Sequence, residues 1–139
     1  MLKEIAHTAD IGIEIQEKNL NDIFITAGHW LIKKLVEVPE NDLFKQKKQK
    51  ISLNEADLAD LLVAFLNEII YYFSGEKIIL NHFEITNLTE TKLSLSASAI
   101  DMTQVEKIKP KTEIKAATYH KLSLEKENNL WKAIVFFDL

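Results

Sequence analysis

The chain has 139 residues, 17 Lys and Arg against 21 Asp and Glu (net charge −4), 47% hydrophobic side chains, three glycines and no cysteine. A domain of this length buries about two-thirds of the surface its unfolded chain exposes, so a core forms without staples, and disulfide or thiolate chemistry is excluded. The acidic balance speaks against a general phosphate-backbone binder and fits a basic protein surface or a cation better. The start, MLKEIAHTAD, lacks a signal-peptide core and no uninterrupted apolar run reaches membrane-spanning length, so a soluble, cytoplasmic protein is expected.

The stretch HTADIGIEI opens with the polar step His7-Thr8-Ala9-Asp10 and then alternates. Ile11, Ile13 and Ile15 fall on one side and Gly12, Glu14 and Gln16 on the other, the period of a half-buried strand. The first helix is predicted in NLNDIFITAGHWLIKKLV, with Asn19 as cap, Asp22 three places on, and a face of Leu20, Ile23, Phe24, Ala27, Leu31 and Leu35. A short strand, KISL, leads to a second helix that begins in the same way at Asn54 and Asp57. Its face is Leu58, Leu61, Leu62, Phe65, Leu66, Ile69 and Phe73, and Gly75 is its expected stop.

The remainder is strand-like. EKIILNHFEITNL and TKLSLSASAI form an antiparallel hairpin around Thr89-Glu90, with Leu93, Leu95, Ala97 and Ala99 inward and Ser94, Ser96 and Ser98 outward. TEIKAATYHKLSLEKE and NNLWKAIVFFDL form another around Asn128-Asn129. Ile134 to Phe137 are apolar at both parities, as in a central strand covered on both faces. The order β-β-α-β-α-β-β-β-β describes a single α+β domain over residues 1–139, two helices on a mainly antiparallel sheet.

Phosphate loops, nucleotide fingerprints, nucleophile elbows and zinc-helix motifs are missing from the sequence. Three places remain. Asp10 sits at a strand mouth, where a lone Asp ordinarily braces a turn. Asp138 closes an apolar strand, and with Leu139 as the terminus its α-carboxylate lies one residue from the Asp138 side chain; two such adjacent carboxylates need a cation or a Lys, and oxygen-only ligation favours Ca²⁺ or Mg²⁺ over zinc. In IKAATYH, counting back from Leu122 and Leu124 puts Ile114, Ala116, Thr118 and His120 inward and Lys115, Ala117 and Tyr119 outward. Alone, Lys115 reads as an edge charge.

As an ordered set, HTADIGIEI, LLVAFLNEIIYYF, IKAATYH and the final FFDL resemble the signature of the archease family, from Glu4 to the last residue. The resemblance implies a small cytoplasmic protein cofactor of an RtcB-type RNA ligase, not a ligase itself. That ligase uses GTP and Mn²⁺ to guanylylate its own histidine, then joins RNA ends in tRNA splicing and RNA repair. The cofactor promotes guanylylation and repeated turnover. On this resemblance Asp10 and Asp138 match metal-binding aspartates, Leu139 the neighbouring ligand position with a backbone or terminal oxygen, and Lys115 a lysine required for activation. The implied metal is divalent, Ca²⁺ first, with Mg²⁺ and Mn²⁺ as alternatives. RNA would be met only within the ligase complex, and no membrane is involved. His7, His120 and Asp101 fall at the periphery of the implied site. Asp101 stands where the family carries the acid of a Gly-Glu pair; here the glycine is absent, and no His stands shortly before the IKA strand as in family members.

KQKKQK (45–50) carries no aromatic within it for base stacking, Phe44 alone standing beside it, and reads as a solvated stretch leading into an edge strand rather than an RNA contact. Trp30 and the Tyr71-Tyr72 pair read as periphery of the core, and His29 and His82 have no ligand spacing. Two other functions compete with the activator. One is a small metal-dependent hydrolase, with Asp10 and Asp138 on the metal and His7 or His120 moving protons. The other is a chaperone-like modulator acting through an exposed apolar patch.

Overall fold

The computed structural model describes residues 1–6, 9–37, 47–105 and 108–139; His7 and part of the lysine-rich stretch lie outside them. The elements are β1 (Leu2–Ala6), β2 (Asp10–Glu17), α1 (Leu20–Leu35), β3 (Val36–Glu37), β4 (Lys47–Asn54), α2 (Leu58–Tyr71), β5 (Ile78–Leu88), β6 (Lys92–Asp101), β7 (Lys109–Pro110), β8 (Ala116–Ala117), β9 (Ser123–Glu127) and β10 (Leu130–Asp138). Every described ladder is antiparallel.

The strands divide into two main sheets rather than one. In the first, β1-β2-β10 run side by side, and both β8 and β9 pair with the far edge of β10; the second is β4-β6-β5. The helices explain the division. Each buries more than the single stripe read from the sequence: Gly28 and Ile32 join the face of α1, and Val63 and Ile70 that of α2. An apolar belt that wide must be covered from more than one side. Accordingly α1 packs on β2, β10 and β5, and α2 on β4, β8 and β9. Phe65 links the layers, its ring 6.0 Å from Phe24 and edge-on to Phe83 at 5.2 Å.

Both hairpins form, the second with its first arm broken into β8 and β9. β5 and β6 pair from Leu88↔Leu93 outward, with register shifts between Asn81 and Glu84, around His82 (φ 51°), and between Ile85 and Asn87. β9 and β10 meet across Asn128 and Asn129, both at positive φ, the backbone of a two-residue hairpin turn. β4 extends well beyond KISL. The α2 with its following π turn, Leu58–Glu76, is 19 residues long and apolar enough to cross a membrane by length and composition, contrary to the sequence expectation. Its apolar composition follows from Leu61, Leu62, Phe65, Leu66 and Ile69, which are buried in the core.

The ends of α2 differ from the reading too. Its cap is Asp57, whose carboxylate accepts the Asp60 N–H at 2.8 Å, while Asn54 ends β4. The stop is Lys77, in the left-handed region at φ 58°, rather than Gly75. Asn19 does cap α1 by position, but its side chain makes no capping bond and instead reaches Asp22 at 3.3 Å. Trp30 is half-buried against Phe137 at 5.2 Å, in keeping with a core-edge role. A side-chain cap contributes about 1 kcal/mol. Asp57→Ala therefore costs about that much in urea unfolding, and Asn19→Ala only a few tenths; equal losses would contradict these cap assignments.

Candidate functional site

The last rung of the β2–β10 ladder pairs Asp10 with Asp138. Directly opposed residues in an antiparallel pair point to one face, with Cβ atoms about 4.5–5.5 Å apart. That face is the outer one, because Ile13, Ile15, Ala133, Val135 and Phe137 of the same strands fill the core. Asp10 is half-buried, with Oδ1 shielded from solvent, and Asp138 is exposed. Leu139, the next residue, is 42% exposed.

Lys115 arrives from the other side. Its backbone N–H donates to the Asp138 carbonyl at 2.9 Å, and Ala116 pairs with Asp138. The Lys115 side chain is exposed and forms no ion pair among the described residues. The strand parity differs from the sequence reading. Ala117 pairs with Phe137 and is buried, so it faces inward, while Ala116 shares the outer row with Asp138. A turn causes the change: the Leu122 N–H bonds the Tyr119 carbonyl at 3.2 Å and Lys121 has φ 53°, so alternation does not carry back from Leu122 and Leu124.

The outer face next to the aspartates is built on a close approach. A Cβ on Gly12 would lie 2.6 Å from Phe136 Cε1, so only glycine lets this ring lie across β2. Phe136 is 4% exposed although it faces away from the helices. His120 packs edge-on against it at 5.6 Å and Lys121 Nζ lies 5.8 Å from its centroid. His120 thus shares the aspartates' face. Asp101 does not: it ends β6 in the other sheet, where Thr103 donates from Oγ1 (2.7 Å) and N–H (3.0 Å). Those bonds hold its carboxyl below the ordinary range. No group of three His, Cys, Asp or Glu side chains is placed to hold a metal among the described residues.

Asn67 was not singled out from the sequence. From α2 its side-chain amide donates to the Ala117 carbonyl at 3.2 Å and accepts the Ala117 N–H at 2.8 Å. It thereby acts as a one-residue strand on the free side of β8. On the other side Thr118 bonds the Phe136 carbonyl through N–H and Oγ1, both at 2.9 Å. The segment bearing Lys115 is clamped from both edges. A polar residue on an otherwise apolar stretch of α2 was the signal available.

Residues 3–139 match the archease protein family (MTH1598/TM1083). The chain belongs to the archease family. It is 32% identical to the protein archease of Pyrococcus abyssi, over 96% of this chain and 94% of that one. With the protein archease of Methanosarcina barkeri it shares 29% identity over 96% and 92% of the two chains. Protein 1598 of Methanobacterium thermoautotrophicum superposes with a TM-score of 0.73 at 23% identity, covering 99% and 98% of the chains. A Thermotoga maritima archease, described there as a possible chaperone, gives 0.67 at 23% identity, covering 99% and 96%. These likenesses establish the fold: one α+β unit with two helices on antiparallel sheets.

Asn67 makes two part-buried bonds to the backbone of one residue, Ala117, each worth about 1 kcal/mol. Asn67→Ala should cost roughly 2 kcal/mol in urea unfolding and speed amide exchange at Ala117 beyond the global change. Unchanged stability and unchanged exchange there would remove the clamp.

Proposed function

We propose that this archease-family chain is a metal-binding activator of an RtcB-type RNA ligase, acting in the cytoplasm to promote guanylylation and repeated turnover, and is not itself the catalyst. The observation that carries the reading is the register that sets Asp10 opposite Asp138 and ties Lys115 to the same rung.

The donor set suits a hard cation. The carboxylates of Asp10 and Asp138 and a main-chain oxygen of Leu139 are all oxygen ligands, and Ca²⁺ takes such ligands in flexible geometry. Mg²⁺ and Mn²⁺ are the alternatives. With so few protein ligands, water or the partner completes the shell. When bound, the cation supplies positive charge at a pole that is otherwise acidic. Asp10 and Asp138 hold that charge, and Lys115 adds a mobile ammonium that can reach a carboxylate or a phosphate of the partner's nucleotide. The exposed Tyr119, four residues from Lys115, and Leu139 give the same end apolar contact area.

Calorimetric titration with Ca²⁺ and stimulation of a partner ligase test this together. Loss of one charged ligand weakens Ca²⁺ by about tenfold or more, some 1.4 kcal/mol, in Asp138→Asn. Lys115→Ala should stay folded, keep Ca²⁺ binding and lose stimulation of guanylylation. Full stimulation by folded Lys115→Ala would take Lys115 out of the site, and the absence of metal-dependent heat in the unsubstituted chain would remove the metal.

A further inference from the structure

The outer face of the β4-β6-β5 sheet takes no part in the site above. Its rows follow from the register: Lys48 beside Ser98 and Asn81, Lys50 beside Ser96 and Glu84, Asn54 beside Lys92. The alternate residues Ile51, Leu93, Leu95 and Ala97 are buried on the inner face. Lys48, Lys50 and Lys92 are exposed, and none of them forms an ion pair among the described residues. Glu84 is the one acid in these rows, so the face is net positive on a chain whose total charge is −4.

What is missing from these rows narrows the partner. No outward side chain in them is apolar or aromatic. Protein interfaces have an apolar, aromatic-rich centre, and these exposed rows offer none; the next pair on the same parity, Ile79 and Ile100, is buried. Base stacking needs aromatic platforms, and no Phe, Tyr or Trp stands in these rows. Lysines interleaved with hydroxyl and amide groups remain, the donor set that contacts phosphate and sugar oxygens. The surface belongs to an open sheet, without a helix to enter a duplex groove.

We propose that this face docks the sugar–phosphate backbone of a single-stranded nucleic acid, without reading its sequence. Lys48, Lys50 and Lys92 neutralise phosphates, and Ser94, Ser96 and Ser98 donate to backbone oxygens. The acidic net charge is no obstacle, because the aspartate pair lies on the other sheet. The inference does not depend on the ligase reading, since the chain alone is titrated.

The test is fluorescence anisotropy of fluorescein-labelled oligouridine and oligodeoxythymidine, with polyglutamate as a second probe. Three neutralised phosphates give a log–log salt slope of about −2, so affinity for the single strand falls roughly 20-fold between about 50 and 200 mM salt. The triple variant Lys48→Ala/Lys50→Ala/Lys92→Ala, checked by circular dichroism, loses that slope, and the corresponding triple Arg variant keeps it. Binding of oligouridine alone assigns the face to RNA, and equal binding of both assigns it to the shared backbone; each supports the proposal. No binding by the unsubstituted chain at low salt overturns it, as does an unchanged slope in the folded triple Ala variant. Lysine-dependent binding of polyglutamate with neither oligonucleotide bound would assign the face to an acidic protein and also overturn it.

Discussion

The antiparallel register of β2 on β10 sets the carboxylates of Asp10 and Asp138 on one face of neighbouring strands. It cannot slip. A shift of β2 by one residue would turn Ile13 and Ile15 to solvent and bring Glu14 into the core; a shift of β10 would do the same with Ala133, Val135 and Lys132. The apolar rows therefore hold together two like charges that would separate if left to themselves. The same register brings the second strand and the last into the middle of one sheet, so a site can be assembled from opposite ends of the sequence.

What lies beneath the pair is closely packed. Phe137, adjacent to Asp138, is fully buried against Trp30. The Trp30 indole N–H donates to Glu4 at 3.2 Å and Lys34 reaches the same carboxylate at 3.1 Å, which together keep that carboxyl below its usual range. Farther along the outer face Glu14 bridges Lys3 at 3.4 Å and Lys132 at 3.1 Å. The acidic pole is thus bounded along β2 by a neutralised row. Lys115, which forms no ion pair among the described residues, lies at the end where the aspartates meet.

Much of this was legible because it rests on local alternation. The isoleucines of β2 declare their inner face, so Asp10 falls on the outer one by counting; Ile134 to Phe137 are apolar at both parities, so the face of Asp138 emerges only from its register with Asp10. The serines of β6 announce an outward face, and the two asparagines between β9 and β10 specify their turn. What depended on distant contacts was hidden. Ala116 and Ala117 were given the wrong faces because a turn resets the alternation. Asn67 shows locally only as a polar residue among the apolar ones of α2, and its partner lies 50 residues away. Two sheets were read as one because the breadth of a helix's buried belt is decided by what packs on it. Asp101, similar in type to a family acid, is committed to Thr103 instead. The archease resemblance supplied the pairing of Asp10 with Asp138, which neither acid reveals by itself.

A double-mutant cycle on the pair, measured as unfolding free energy in EDTA and again in saturating Ca²⁺, tests the central claim most directly. If the register makes Asp10 and Asp138 one cation-binding unit, the two substitutions Asp10→Asn and Asp138→Asn couple in opposite directions under the two conditions. Without metal, neutralising the first carboxylate relieves repulsion and the second adds nothing further. With Ca²⁺, the first already forfeits the cation's stabilisation. Additive effects of the same size in both solutions would contradict the account.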